Sequence, residues 1–234
     1  MPDSSIKADI VDFHSHILPG ADHGSSSVET SLGQLALASA AGVKRIIATP
    51  HFYPARHKVE DFIERRSAAW KRISECLSSD LPDVRVGAEV LVCNGIENLP
   101  GLDNLFIHGT NTLLLELPFT DFQYQYAESA ERLIEQGIEV VLAHADRYPE
   151  EHIAQMLEAG CKIQLNADAF SSLFVKPHIK KWLASGRVIA LGSDIHHRDK
   201  NAYKMFLKAK KKVGLSIDLI KTESDRIWDA SSVM

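Results

Sequence analysis

The chain has 234 residues, of which 45% are hydrophobic and 24% charged, and its formal net charge is −5. These values are typical of a globular protein, and the acidic balance argues against nucleic-acid binding driven by bulk charge. No apolar run approaches the ~20 residues of a bilayer span, so we expect no membrane insertion.

The N-terminal stretch MPDSSIKADI lacks a secretion signal, which predicts a cytoplasmic protein. The first predicted strand, ADIVDF, then leads into DFHSHILPGADHG, residues 12–24, where three of the eleven histidines lie. Alternation along an extended chain points His14 and His16 to the same side. His23 follows at a distance, and Asp22 beside it is an alternative ligand.

Apolar runs and helical segments alternate along the rest of the chain. Seven strands are predicted, at DIVDF, VKRIIAT, VRVGAEV, NTLLLEL, IEVVLAH, CKIQLN and RVIALGS. Helices are predicted over residues 28–42, 59–77, 126–137, 150–160 and 172–186, four of them closed by glycine, and a long loop over 94–109. Repeated βα units predict a parallel α/β sheet. No linker or repeat divides the chain, so we predict one domain over residues 1–234.

Histidine and carboxylate side chains occur at the ends of these strands. Because the carboxyl ends of parallel strands converge on one face of an α/β barrel, we expect these side chains to meet in space. Imidazole and carboxylate together suit zinc, manganese or iron, and a carboxylate can bridge two ions. The candidates are His14, His16, His51, Glu89, Glu116, His144, Asp194 and His196.

Two of these candidates, and one further residue at a strand end, have specific support or alternatives. A carboxylate inside the apolar stretch around Glu89 needs a partner, which favours a ligand role. Glu116 has a salt bridge with Arg147 as an alternative. Asn166, at the end of KIQLN, either lines the site or caps a helix.

The motifs DFHSHILPGADHG, ATPH, GAEV, LLELP, AHADRY and GSDIH, in this order, resemble the polymerase and histidinol phosphatase (PHP) superfamily. They are most similar to the bacterial manganese-dependent tyrosine phosphatases of capsule and exopolysaccharide operons. The resemblance runs from about Asp9 to His196. It implies a distorted TIM-like (β/α)7 barrel that holds up to three divalent metal ions, with manganese expected and iron or zinc as alternatives.

The resemblance also implies how the ligands are shared among the ions. The first ion would take His14, His16, Glu89 and Asp194; the second Glu89, Glu116 and His144, with Glu89 bridging; and the third His23, His51 and His196. The sequence DHG departs from the DDG that is usual in the phosphatases. This departure places His23 where an aspartate is expected and leaves a preference for zinc or iron open.

The implied reaction is hydrolysis of a phosphate ester by a metal-activated hydroxide. A cysteine-based tyrosine phosphatase is excluded, because an arginine is required six positions after the cysteine. Cys76, Cys93 and Cys161 are followed there by Pro82, Leu99 and Ala167, respectively.

The phosphate needs cationic partners. Arg147 and Arg198 follow ligand positions and are the candidate phosphate-binding catalytic residues, with surface salt bridges as the alternative. Phe52 and Tyr53 are candidates for an aromatic wall, although packing is equally expected. The lysines of KNAYKMFLKAKKK predict a solvated helix face, with docking of an acidic partner as the alternative.

The resemblance implies that the substrate is phosphotyrosine in a protein, such as the tail of a bacterial tyrosine autokinase. The alternatives are a phosphatase for small esters such as histidinol phosphate, a metal-dependent amidohydrolase, and a non-catalytic metal-binding PHP module. Amidohydrolases typically place a modified lysine on strand four, where this chain has Glu116. The complete ligand set argues against a decayed module.

Overall fold

The computed structural model describes residues 9–234. Most of the N-terminal stretch that predicts a cytoplasmic location lies outside the described residues. The strands are β1 (Asp12–Ser15), β2 (Arg45–Ala48), β3 (His51–Phe52), β4 (Asp83–Val86), β5 (Glu89–Leu91), β6 (Thr112–Glu116), β7 (Glu139–Leu142), β8 (Lys162–Asn166) and β9 (Val188–Gly192). The helices are α1 (Val28–Ala40), α2 (Val59–Ser74), α3 (Gln125–Glu135), α4 (Glu150–Glu158), α5 (Pro177–Ala184), α6 (Ala202–Lys212) and α7 (Ile217–Ala230).

The nine strands form one parallel sheet in the order β3-β5-β6-β7-β8-β9-β1-β2-β4. Residues 49–50 alone separate β2 from β3, and residues 87–88 alone separate β4 from β5. Between these interrupted strands the ladder continues, because Gly87 N donates to Ala48 O at 2.8 Å and Glu89 N donates to Pro50 O at 3.1 Å. The two ends of the strand order are therefore joined. The seven predicted strands and the distorted TIM-like barrel are confirmed.

The helices cover the outside of the sheet, and each contributes a buried apolar stripe to a shared core. Residues that represent this core, one from each of α1 to α6, are Leu35, Phe62, Leu133, Ile153, Ile179 and Phe206. The predicted helices are confirmed except that α5 begins at Pro177 instead of residue 172. Pro177 favours extended backbone at the residue before it, and Lys176 has ψ of 144°. The predicted loop over 94–109 contains two short 3₁₀ turns.

A second apolar cluster fills the inside of the barrel, with Phe13, Ile47, Leu114, Val141 and Ile189 among its members. Helix α7, which has no counterpart among the helices predicted from the sequence, closes this cluster through Ile227 and Trp228. The guanidinium of Arg85, on β4, lies 4.7 Å from the centre of the Trp228 ring. Helix α7 therefore seals the amino-terminal end of the barrel, and the carboxyl end remains for a site. Among the described residues, no helix is long and apolar enough to cross a membrane.

Candidate metal centre

A bulge in β1 aims the first two histidines at the site. Four residues of β1, from Asp12 to Ser15, run beside three of β2, from Ile46 to Ala48. An extra residue shifts the alternation of side chains along the strand. Phe13 packs inside the barrel, while the Nε2 atoms of His14 and His16 meet above it at 3.0 Å. The predicted pairing of these two histidines is observed, whereas the register shift beside them has no signature in the sequence.

Glu89 lies at the centre of the cluster and is fully buried. Its Oε2 is 3.2 Å from His14 Nε2, 3.3 Å from His16 Nε2 and 2.9 Å from His51 Nδ1. Its Oε1 is 2.7 Å from His144 Nε2. One carboxylate thus faces four imidazoles from three strands or strand ends, which is the position expected of a bridging ligand.

The remaining predicted carboxylates flank this centre on opposite sides. Asp194 Oδ1 lies 3.2 Å from His16 Nε2 and 3.6 Å from His14 Nε2. Glu116 lies 3.7 Å from His51 Nδ1 through Oε2 and 3.8 Å from His144 Nε2 through Oε1. The carboxylates therefore surround the imidazoles, so that each of these ring nitrogens has a carboxylate oxygen beside it.

A third group brings together imidazoles at the mouth of the site. His16, His51 and His196 each offer one ring nitrogen, and the three atoms lie within 4.8 Å of one another. His23 is exposed, and its ring centre lies 4.8 Å from those of both His51 and His196. His23 therefore lies beside the other two members of its predicted set, His51 and His196, but outside the buried cluster.

The electrostatics of the cluster reflect this crowding. Burial alone would raise the pKa of Glu89, but the Coulombic attraction of His14 and hydrogen bonds from imidazoles hold it well below its usual value. Burial also opposes the charged form of His16, yet hydrogen bonds to Asp194 and Asp22 raise its pKa well above normal. At His196, burial followed by the repulsion of His16 lowers the pKa to about 4.

Several polar atoms that face this cluster have no hydrogen-bond partner although they are buried. They are His51 Nδ1, Glu89 Oε2, Glu116 Oε2 and His196 Nε2. Buried polar atoms are rarely left unpaired, because each costs about 1–3 kcal/mol. Imidazole nitrogens and carboxylate oxygens whose lone pairs converge in this way fit divalent transition-metal ions.

Asp22 holds His16 from behind instead of reaching the cluster. Its Oδ2 is 2.6 Å from His16 Nδ1 and accepts from His51 N at 3.0 Å, and its Oδ1 accepts from Gly24 N at 2.8 Å. A carboxylate on the far ring nitrogen fixes the tautomer that leaves Nε2 free to bind a metal. This geometry favours an orienting role for Asp22 over a ligand role.

Gln164 is a functional residue that the sequence analysis missed. Its Oε1 accepts from His144 N at 2.8 Å and lies 3.1 Å from His14 Nδ1. Its Nε2 donates to Asn166 Oδ1, and Asn166 Nδ2 donates to Asp194 Oδ2, both at 2.9 Å. Asn166 therefore lines the site. Polar residues at alternate positions of the apolar strand KIQLN were the available sequence signal.

The backbone also adapts to the site. His144 and Asp194 have positive φ angles of 32° and 49°, in a region that residues other than glycine seldom adopt and that recurs at functional sites. At Gly24, an added Cβ would lie 2.1 Å from His16 Cβ, and at Gly192 it would lie 2.6 Å from His14 Cβ. These two glycines make room for the paired histidines.

The two predicted phosphate-binding arginines differ in placement. Arg147 Nη2 lies 2.8 Å from Asp194 Oδ2, so its guanidinium sits at the edge of the cluster and does not pair with Glu116. Arg198 Nη2 instead donates to Glu29 O at 2.7 Å, at the start of α1, and the side chain lies against Gly33. The structure brings Arg147 to the site and directs Arg198 away from it.

A cleft of about 500 Å³ opens beside Glu116. Tyr53 and Phe119 contribute aromatic rings to its lining, and Arg56 contributes a cation. The Tyr53 ring lies 5.3 Å from that of His51, and Phe119 is 65% exposed with its ring 6.2 Å from that of His144. Phe52, in contrast, is fully buried against Phe62. Of the two aromatic candidates, only Tyr53 faces the cleft.

The fold and the site together define a barrel of the PHP type with a candidate metal centre at the carboxyl ends of its strands. Residues 10–217 match the family described as capsular polysaccharide synthesis, CpsB/CapC. The chain belongs to this family.

Two similar proteins carry names that describe an activity. Tyrosine-protein phosphatase CpsB of Streptococcus pneumoniae is 26% identical over 210 residues, which cover 81% of this chain and 84% of the relative. Tyrosine-protein phosphatase YwqE of Bacillus subtilis (strain 168) is 29% identical over 175 residues, covering 71% and 68%.

Solved structures share the fold. One, described as YwqE from Bacillus subtilis and CpsB from Streptococcus pneumoniae, "unique metal-dependent tyrosine phosphatases", has a TM-score of 0.76 at 19% identity and covers 96% of both chains. An adenine deaminase from Arthrobacter aurescens has a TM-score of 0.52 at 11% identity, covering 94% of this chain and 93% of its own. The deaminase therefore shares the barrel fold with this chain, although its name describes a different reaction.

Proposed function

We propose that this protein is a metal-dependent phosphatase that hydrolyses phosphotyrosine in a protein. The observation that carries the proposal is the convergence of Glu89, Glu116 and Asp194 with five buried or half-buried imidazoles at the strand ends, where several lone pairs have no protein partner. Two similar proteins are named tyrosine-protein phosphatases, and one similar solved structure is described as metal-dependent tyrosine phosphatases. Both observations support the same activity.

We propose the ligand sets expected from the sequence, and we add that His51 also faces the second set. His14, His16, Glu89 and Asp194 would hold one ion, and Glu89, Glu116 and His144 a second. His23, His51 and His196 would hold a third, and His51 Nδ1 also faces Glu89 and Glu116. Manganese is the proposed native ion. Divalent ions bound there would supply a hydroxide nucleophile at neutral pH and neutralise phosphate charge.

The protein's own side chains would position the substrate. Arg147 can grip phosphate oxygens with its planar guanidinium, while Asp194 holds the guanidinium at the edge of the cluster. The cleft between Tyr53 and Phe119 gives a phenol ring two aromatic surfaces, and it is open enough for a peptide to continue past the ring. Arg198, the second predicted phosphate-binding arginine, donates to Glu29 O at the start of α1, and we propose only a minor contribution from it.

The proposed physiological substrate is a phosphotyrosine-bearing tail of a bacterial tyrosine kinase, reached in the cytoplasm. Residues 1–234 are proposed to act as one catalytic domain. An aryl phosphate suits this site because phenol, with a pKa near ~10, leaves with less help from a general acid than an alkyl alcohol does.

The test begins with protein stripped by a chelator and reloaded with manganese, iron or zinc separately. We expect stripped protein to be inactive and reloaded protein to hydrolyse a phosphotyrosine peptide with higher kcat/KM than histidinol phosphate or a phosphoserine peptide. Full activity in protein shown by elemental analysis to be metal-free would contradict the metal-dependent mechanism. A strong preference for histidinol phosphate would contradict the proposed substrate but not the metal-dependent mechanism.

A further inference from the structure

Cationic and exposed apolar residues are concentrated in one segment of the chain. The stretch of residues 171–216 contains eleven lysines and arginines but only two acidic residues, Asp194 and Asp199, in a chain whose net charge is −5. Four of the large hydrophobic side chains that are exposed also belong to this stretch: Leu173 at 81%, Phe174 at 78%, Leu207 at 37% and Leu215 at 97%.

The outer face of α6 carries part of this surface. Lys204, Leu207 and Lys211 are exposed and are spaced three and four residues apart, so they lie on the same face of the helix. Leu215 continues the spacing just beyond the helix. The helix therefore displays alternating cationic and apolar side chains to solvent, whereas its opposite face buries Phe206 and Ala209 in the core.

The loop that carries Leu173 and Phe174 is tied to the same helix. Lys208 Nζ donates to Ser171 O, and Lys212 Nζ donates to the carbonyls of Ser172 and Leu173. These bonds hold the two adjacent apolar side chains beside the lysines of α6. We call Leu173, Phe174, Lys204, Leu207 and Lys211 the basic-apolar surface.

The basic-apolar surface lies on the same side of the barrel as the candidate metal centre. Its loop follows the 3₁₀ turn Ala167–Phe170, which comes directly after the carboxyl end of β8. Ser171, at the start of the loop, lines a cavity of about 290 Å³ together with Asp194 of the metal centre. Whatever binds the basic-apolar surface is therefore brought next to the site.

We propose that the basic-apolar surface binds the surface of a bilayer that contains anionic phospholipids. Apolar side chains ringed by lysines are the features that adsorb a protein to such a surface: the apolar groups enter the headgroup region, and lysines attract the anionic lipids. This is adsorption, which needs no membrane-spanning helix. The proposal does not depend on the chemistry of the metal centre.

Other occupants fit the residues less well. Two copies of the chain would oppose like charges across a symmetric contact. An acidic protein would have to supply a pocket for Leu173 and Phe174, because these side chains project from a loop with about four-fifths of their surface in solvent. A bilayer needs no such pocket.

The test is flotation of the full chain with vesicles of phosphatidylcholine alone or of equal parts phosphatidylcholine and phosphatidylglycerol. We expect binding to the anionic vesicles only, and weaker binding at high salt, which screens the lysines. The double variant Lys204→Glu with Lys211→Glu should lower the vesicle affinity by about 25-fold or more, since each lysine near an anionic surface contributes roughly fivefold. Leu173→Ser with Phe174→Ser should lower it by at least about tenfold.

Matched controls separate this surface from bulk charge and from misfolding. Lys44→Glu with Lys71→Glu makes the same change in net charge at exposed lysines elsewhere, and Val233→Ser removes an exposed apolar side chain. Both should bind vesicles like the original chain, and all variants should keep its thermal unfolding midpoint.

Three results would overturn the proposal. The first is equal binding to neutral and anionic vesicles, and the second is an equal loss in the Lys44 and Lys71 double variant. The third is absence of binding to anionic vesicles; if polyglutamate is bound instead, and that binding is lost in the Lys204 and Lys211 double variant, the surface belongs to an acidic protein partner.

Discussion

Replacing Glu89 by glutamine tests the centre of the proposed site. The substitution keeps the size of the side chain and removes its charge, while one oxygen becomes an N–H donor. The carboxylate of Glu89 is fully buried and lies within 3.3 Å of a ring nitrogen of His14, His16, His51 and His144. No other predicted ligand contacts as many imidazoles at this distance among the described residues.

The size of the effect follows from the charge that is lost. Two unit charges about 4 Å apart interact by about 4 kcal/mol at an effective dielectric constant of about 20, and a divalent ion doubles this attraction. Even when half of the energy is lost to relaxation, several kcal/mol correspond to a fall of at least about a thousandfold in metal affinity. We therefore expect Glu89→Gln to lose metal on dialysis and to show almost no turnover at low metal concentration.

The assay combines elemental analysis after dialysis with kcat/KM measured over a range of added metal. Glu139→Gln is the matched control, because Glu139 is a partly buried glutamate that pairs with Arg226 and Lys162 at the opposite end of the barrel. It should keep its metal and its turnover. Normal metal content and turnover in Glu89→Gln would refute the assignment of Glu89 as a ligand.

Three further predictions concern Asp22 and the two predicted arginines. Asp22→Asn removes the charge that orients His16, so metal affinity should fall by about 10–100-fold while excess metal restores turnover. A titration of activity with metal measures both effects. An unchanged titration would contradict the orienting role of Asp22. Arg147→Ala should lower kcat/KM by about tenfold or more with metal retained, and lysine there should rescue only partly because it lacks the bidentate fork. Arg198→Ala should stay within about threefold in the same assay, because Arg198 contacts α1; an equal loss in both variants would show that Arg198 reaches the substrate.

The sequence by itself determined the order of strands and helices up to α6 and the positions of the candidate ligands, whereas α7 was not predicted. The βα repeat and the glycines that close the helices are local features, so they can be recognised without knowing the fold. His51, Glu89 and His144 stand at strand ends, and a parallel barrel brings strand ends together whatever the details of its loops. Their convergence could therefore be predicted from spacing along the chain.

Contacts between distant segments decided the rest. Asp22 and Gln164 became orienting residues only when the fold placed them behind His16 and His14, and nothing in their own neighbourhoods specifies those partners. Arg147 and Arg198 follow ligand positions in the same way in the sequence, yet one turns to Asp194 and the other to α1. The physical reason is that side-chain direction depends on β-bulges and on residues with left-handed backbone. The surrounding packed structure stabilises these conformations, and a short stretch of sequence does not contain that structure.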